Sequence, residues 1–457
     1  MMMGMCKNVS DQDWSDAPYT TILTNGKGWM MDPATKKPVG EAAVIKVQKG
    51  KRYRLRFIQG AGSWGIKVTM NKHTCRVIAL DGINIMPKDV KGFTLTAGER
   101  LDCILNANRP VGNYYINIAT LVGNNSPAVL SYVGAPDPKS MRPPVLDLGC
   151  QYALPEMDVL DFKNETDLAA FAGVPRPPRT ASKQLVVYLS NSADPEGTIT
   201  KVLGPNPTIP GLTGVKPQQG CKLANGQESM YCWTLNWVPF GDAIGEVPLL
   251  FPDARLSPTT YMVDVPLNGV VDIALINPGA MVHPMHMHGT HFWVLGTGNG
   301  DILTMDGKIN YTKLNIDNPV YRDTQPVANA APASRLGMGP MDPVPPMKEG
   351  DTLSTASADT SVPADSTPAP AEVMPGMPAG SDVLPASSDM PGMGGEKLVY
   401  GYAVIRFKAS NAGVWPFHCH IDLHANTGML MGFRVPRRVG IPKPWALPKG
   451  VTQCGKE

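Results

Sequence analysis

The chain has 457 residues, with 41 lysines and arginines against 39 aspartates and glutamates and a formal net charge of +2. That length allows two or three domains with sizeable cores, and the balanced charge carries no signature of a nucleic-acid or membrane-surface partner. No stretch approaches the roughly 18 consecutive apolar residues of a membrane span, while 46 glycines, 45 prolines and short β-branched apolar runs favour an all-β chain rich in turns.

The opening MMMGMCKNVSDQDW has one lysine but no apolar core of the length a secretion signal needs. Sequons at Asn8, Asn124, Asn164 and Asn310 point mildly to the secretory route, although a proline follows the second. From about residue 20 to 135 short strands follow one another: EAAVIKVQKGKRYRLRFIQG, RVIALDGINIMP and GFTLTAGERLDCILNANRPVGNYYINIAT. Turn pairs at Lys49-Gly50, Asp81-Gly82 and Ala97-Gly98 separate them, as in a β-sandwich or Greek-key barrel. This predicts a first domain over 1–150. A proline-rich linker at 151–180 follows, with a candidate helix near LDFKNETDLAAFAG. Strands resume at KQLVVYLS and TYMVDVPLNGVVDIALINPG and open a second domain, 181–457. Within it, 328–396 holds almost no large apolar residue except methionine, cannot bury enough surface to order itself, and is expected to be a disordered insertion.

Eight cysteines are present, and Cys221 and Cys232 bracket LANGQESMY, whose Asn225-Gly226 suits a tight turn. A local disulfide there competes with a reading as two buried thiols. If Cys419 is a metal ligand, seven cysteines are left, an odd number for pairing.

Seven of the eight histidines fall in two windows, MVHPMHMHGTHFWVL (281–295) and WPFHCHIDLHANTGM (415–429); only His73 lies elsewhere. Side chains two apart on a strand share a face, so His286 with His288 and His418 with His420 predict four imidazoles at one site. Cys419, inside the second pair, then faces the other way, where His283 and His424 can join it. Two histidines, a cysteine and a weak axial methionine are the donors of a blue-copper centre, and Met429 stands at a suitable distance along the chain. Zinc is the chemical rival. One histidine on a strand is more often a core or surface residue than a ligand, but two such pairs, one enclosing a cysteine, reverse that balance. His73 and His291 have no partner at useful spacing and are read as structural.

HPMHMHG (283–289) and HCHIDLHANTGM (418–429) resemble two copper signatures of the multicopper oxidases, the group of laccases, ascorbate oxidases and ferroxidases. ILTNGKG (22–28), RYRLRFIQG, VIALDG, NPVYRDT (318–324) and YAVIRFKASNAGVWPFHCH extend the resemblance over nearly all of the chain outside 328–396. The resemblance implies two cupredoxin-like Greek-key β-barrels, equivalent to the family's second and third domains. It implies a type 1 copper on His283, Cys419 and His424 with Met429 axial. His286 would serve the type 2 copper or its neighbour, and His288, His418 and His420 the type 3 pair. Cys419, His418 and His420 would then relay electrons from the type 1 copper to the cluster, where dioxygen is reduced to water. The axial methionine implies a modest potential and an easily oxidised reductant, with phenols, ascorbate, Fe(II) and Cu(I) all open. Secretion is the family's habit.

Two departures shape the expectation. The family enzyme holds up to four coppers and takes four more cluster histidines from a first domain, whereas no HxH motif precedes residue 283 here. The chain is therefore expected to start inside the second domain and to complete a cluster only with that first domain or another chain. Cys454, with Cys6 or Cys150, would have disulfide partners in the absent part. The position after HMHG is Thr290, which is not a ligand position. Alternatives are a copper-binding electron-transfer protein with the type 1 site alone, and a non-functional fragment. Three M-x-x-M units in the insertion (Met338/Met341, Met374/Met377, Met390/Met393) are soft enough to collect Cu(I), against the blander reading of a low-complexity segment.

Overall fold

The computed structural model describes residues 21–32, 35, 37–120, 126–141, 159–160, 168–191, 202, 221–222, 228–229, 232–238, 240, 261–279, 281–300, 302–332 and 398–436. Nearly all regular structure there is β, and the helix Asp422–Asn426 is short. No helix among the described residues is long and apolar enough to cross a membrane.

Alternation builds the first pair of sheets. Along Arg52–Ile58 the three arginines are exposed while Tyr53, Leu55 and Phe57 are half-buried, the period-2 pattern of a strand with one wet face. That strand borders a four-stranded sheet with Arg100–Asn106, Cys75–Leu80 and Ile83–Val90. A six-stranded sheet runs Val159–Leu160, Gly92–Leu95, Ile66–Met70, Asn113–Thr120, Ala128–Tyr132 and Val44–Val47. Sheet neighbours distant in sequence mark Greek-key crossovers. Phe57 meets Phe93 edge to face with ring centres 4.8 Å apart, joining the two sheets across their core. Val68, Val77, Leu101 and Ile118 fill that core. A disulfide, Cys75–Cys103, ties adjacent strands of the smaller sheet.

The second pair reads differently because its central strands are buried on both faces. Val270–Asn277 and Gly401–Lys408 are almost continuous buried runs and pair antiparallel, in a six-stranded sheet with Trp233–Leu235, Lys183–Asn191, Phe292–Asn299 and Tyr321–Arg322. Two charges sit in the middle of this apolar run. Arg406 Nε and Nη2 donate to the two oxygens of Asp272 at 2.6 and 2.7 Å, and the Tyr311 hydroxyl also donates to Asp272, so neither charge is left uncompensated. The facing five-stranded sheet has the order Met262–Asp264, Leu430–Val435, Gly413–Cys419, His283–Met287 and Thr324–Val327. Phe407 against Phe433, 4.9 Å between ring centres, closes the core between them.

Among the described residues the two pairs share no strand; charged groups join them. Arg322 Nε donates to Asp81 at 2.8 Å, and Nη2 donates to Glu99 at 2.6 Å. Arg100 forms a two-pronged pair with Asp323 at 2.6 and 2.7 Å.

Two expectations change, and the disulfide reading of Cys232 gains support. The insertion does not begin at 328: Ala328 is 3% exposed, and Ala331–Pro332 pairs with Leu398–Val399, because backbone hydrogen bonds hold small residues that composition alone marks as unable to order. Residues 333–397, with all three M-x-x-M units, lie outside the described residues. Near LDFKNETDLAAFAG, residues 168–174 form no helix; Ala170 bridges to Ile85 and a turn follows, while Leu160 and Leu168 are buried in the core. The alanines and leucines that suggested a helix serve instead to cover a sheet edge. Cys232 is disulfide-bonded, and Cys221–Lys222 pairs with Glu228–Ser229 as the hairpin reading requires. The side chain of Cys221 lies outside the described residues, as do Cys6, Cys150, Cys454 and the sequons at Asn8, Asn124 and Asn164. Asn310 caps the 3-10 turn Tyr311–Lys313 by accepting from the Thr312 amide.

Candidate metal centre

Register places the two histidine windows side by side. His283–Met287 pairs antiparallel with Gly413–Cys419, setting Met285 opposite Cys419 and His286 opposite His418. Alternation then sorts the donors. His283 and Met285 point to one face of their strand and His286 to the other; the partner strand does the same with Cys419 and His418.

On the inner face, His283, Cys419 and His424 are 1%, 0% and 0% exposed. Their donor atoms all lie within 4.8 Å of one another. His283 Nδ1 is 3.2 Å from His424 Nδ1, and the Cys419 sulfur is 3.8 and 3.6 Å from these two nitrogens. His424 reaches this point from the helix Asp422–Asn426 that follows the cysteine strand. Met429 is fully buried; its amide donates to the His424 carbonyl at 2.9 Å, and its own carbonyl accepts from the Cys419 amide at 3.0 Å. The chain thus folds back on itself beside Cys419.

The donor set fits a soft cation. Two nitrogens and a sulfur bound at about 2.0–2.3 Å from one ion stand roughly 3.3–3.8 Å apart, the spacing seen here. Burial holds the His283 imidazole down to a pKa of about 3, and pushes that of His424 well below the ordinary value, with His283 adding to the effect. Both rings are therefore neutral at pH 7, as ligation requires. Trp233 stacks on His424 at 3.8 Å between ring centres, 26° from parallel, and meets His283 edge-on at 5.1 Å.

On the outer face His286, His288, His418 and His420 gather. Ring centres are 4.8 Å apart for His286–His288, 5.6 Å for His286–His418, 5.5 Å for His286–His420 and 5.2 Å for His288–His418. His418 Nδ1 donates to the Cys419 carbonyl at 2.8 Å, which leaves its Nε2 lone pair directed at His288 Nε2, 3.1 Å away. Burial, with smaller contributions from the neighbouring imidazoles and against the Cys419 carbonyl, lowers the His418 pKa to about 4. His288 is lowered by burial and by His286 and His420. The buried His420 Nδ1 has no hydrogen-bond partner.

Of the two remaining histidines, His73 sits in the first sheet pair, and His291 shares the Asp323 carboxylate with His286. His73 is clamped between the Asn71 carbonyl at 2.7 Å and the Tyr132 hydroxyl at 2.8 Å in the first sheet pair. His291 packs against Tyr321 and lies 3.8 Å from Asp323. Sequence reasoning missed Trp233, Asp323 and Thr324. The signals were present: Trp233 follows a disulfide cysteine, and Asp323-Thr324 ends the NPVYRDT motif.

Comparisons with known proteins place this fold in a family. Family models described as multicopper oxidase match residues 4–135, and residues 216–334 with 398–439. Laccase-9 of Arabidopsis thaliana is 24% identical over 90% of this chain and 62% of its own length. L-ascorbate oxidase of Nicotiana tabacum is 23% identical over 97% of the chain and 65% of its own. The chain thus spans less than two thirds of either relative. A variant of the laccase from B. aclada superposes with a TM-score of 0.55 at 18% identity, covering 92% of this chain and 59% of that one. The fold is that of the cupredoxin-type copper oxidases, and with both histidine windows inside the matched segments, the chain belongs to the multicopper oxidase family.

Proposed function

We propose that this chain carries the reductant-oxidising copper site and half of the oxygen-reducing copper cluster of a laccase-like oxidoreductase. The observation that carries the reading is the dry convergence of His283, Cys419 and His424. These three, together with Met429, would hold a type 1 copper. His286, His288, His418 and His420 would hold part of a type 2/type 3 cluster. Copper bound in these places supplies one-electron oxidation of a reductant at the first and reduction of dioxygen to water at the second.

The protein's own part is to position and to connect. Cys419 is joined by one peptide unit to His418 and by another to His420, so a single strand end links the two donor sets covalently. Burial keeps the imidazoles neutral and the thiol away from water. A phenol, ascorbate, Fe(II) or Cu(I) would serve as reductant.

Adding Cu(II) to metal-free protein should produce an intense visible thiolate-to-copper band at one equivalent, abolished by Cys419→Ser. A silent wild type, or a band that survives the substitution, overturns the reading. A second reading rests on the histidine count. The described outer group holds four imidazoles, His73 is held in the first sheet pair and His291 is turned to Asp323, so a chain acting alone would be a copper-binding electron-transfer protein. It would show the band yet consume no oxygen with a reductant, until a partner bearing further imidazoles is added.

A further inference from the structure

Two of the four outer histidines, His420 directly and His286 through Asp323, are reached by a segment that belongs to the other pair of sheets. This is the turn from Thr96 to Arg100, which leads from the strand Gly92–Leu95 into Arg100–Asn106. Two separate contacts reach the histidines from it.

The first is steric. Gly98 has φ +82°, and a Cβ placed there would stand 2.3 Å from His420 Cδ2 and 2.6 Å from Cγ. The imidazole therefore lies directly on the glycine backbone, in a space that exists because position 98 has no side chain. The turn is itself stiff: Gly98 and Gln59 are tied backbone to backbone at 2.9 Å, and the Thr96 amide and hydroxyl both donate to Glu99 at 2.7 Å.

The second is a relay of hydrogen bonds. Arg100 grips Asp323 with two donors. Asp323 accepts from the Thr324 hydroxyl at 2.9 Å, and its backbone carbonyl lies 2.9 Å from His286 Nδ1, with the Thr324 oxygen at 3.0 Å from the same nitrogen. A carbonyl can only accept, so Nδ1 carries the proton and Nε2 the lone pair. Arg100 thus holds Asp323 in place by its carboxylate, and the Asp323 carbonyl selects which nitrogen of His286 is available to a metal.

We propose that the turn Thr96–Arg100 is the positioning element of the four-imidazole site, seating His420 on Gly98 and fixing the tautomer of His286 through Arg100 and Asp323. The inference rests on the outer histidines acting as ligands, and it assigns Gly98, Arg100 and Asp323 a place in building them. None of the three is a ligand itself.

The test begins on metal-free, 15N-labelled protein, where long-range nitrogen–proton correlations show which ring nitrogen of each histidine is protonated. His286 should be the Nδ1-protonated form in wild type. Arg100→Gln and Asp323→Asn should both mix the two tautomers, Arg100→Lys should restore most of the wild-type form, and Gly98→Ala should displace the His420 ring signals. Copper affinity of the outer group should fall about 10-fold in Arg100→Gln, while the Cys419 thiolate band stays as in wild type. An unchanged His286 tautomer and unchanged affinity in both Arg100→Gln and Asp323→Asn overturn the proposal. If Gly98→Ala does not fold, the Arg100 and Asp323 variants decide alone. Because the tautomer is read without metal, failure here is separate from failure of the copper reading, which would appear as a missing thiolate band in wild type.

Discussion

His283 shows what one buried imidazole costs a fold in acid. Its pKa in the folded chain is held to about 3 by burial, against 6.5 when exposed. Below pH 6.5 the unfolded chain takes up a proton that the folded chain refuses, so stability falls as the pH drops and levels off only near the folded value. His418, lowered to about 4, acts in the same direction. Metal-free protein should therefore lose resistance to urea progressively from pH 6.5 to 4, and His283→Gln should flatten that dependence. A slope unaffected by the substitution would show that the ring titrates freely. Trp233 makes a second prediction at this scale. It packs on His424 at 3.8 Å and is 7% exposed; Trp233→Ala should cost about 3–5 kcal/mol in denaturant unfolding. Copper release to a chelator should quicken as well, whereas Trp233→Phe should keep most of both properties.

At the scale of strands, the site was legible because chemistry followed the period of two. His286, His418 and Cys419 took the faces their spacing assigned, while the register that sets Met285 against Cys419 came only with the pairing of two strands distant in sequence. Three features were not legible. Cys75 and Cys103 lie 28 residues apart on adjacent strands, and nothing local announces a pairing made by sheet topology. The Ala331–Pro332 strand exists only because Leu398–Val399 returns beside it, and no window of sequence contains both. The stretch 168–174 has helical composition but meets Ile85 as an edge, a case of tertiary contact overriding propensity. The disulfide gives a measurable consequence. It closes a loop of 28 residues, so replacing both cysteines with alanine should lower unfolding free energy by about 2–4 kcal/mol. The Cys419 thiolate band should be unaffected, since that sulfur lies in the other pair of sheets.

At the scale of the whole molecule, the joint between the sheet pairs depends on buried charge. Arg322 is 0% exposed and shares its guanidinium between Asp81 and Glu99, themselves 3% and 2% exposed. Burial raises the Glu99 pKa, Arg322 pulls it back, and the Asp81 charge raises it again, leaving it above the ordinary carboxylate value. The arginine is thus the main counter-charge for both acids. Arg322→Met keeps the volume and removes the charge, which should cost about 3–5 kcal/mol at pH 7 because two carboxylates stay buried without it. The pH dependence separates this mechanism from simple loss of packing. With Arg322 gone, the folded-state pKa of Glu99 rises further above its unfolded value. The contribution of Glu99 to stability is then present while it is protonated and is lost as pH rises through its folded value. The variant should consequently close part of its gap to wild type between pH 7 and pH 5. A gap independent of pH would mean that Arg322 contributes shape alone. Because Thr324 also donates its amide to Asp81 at 3.1 Å and precedes Gln325 in the strand paired with the His283–Met287 segment, the same variant should loosen the outer histidines before it loosens the inner thiolate site. Following both copper groups in one titration would show the order in which they fail.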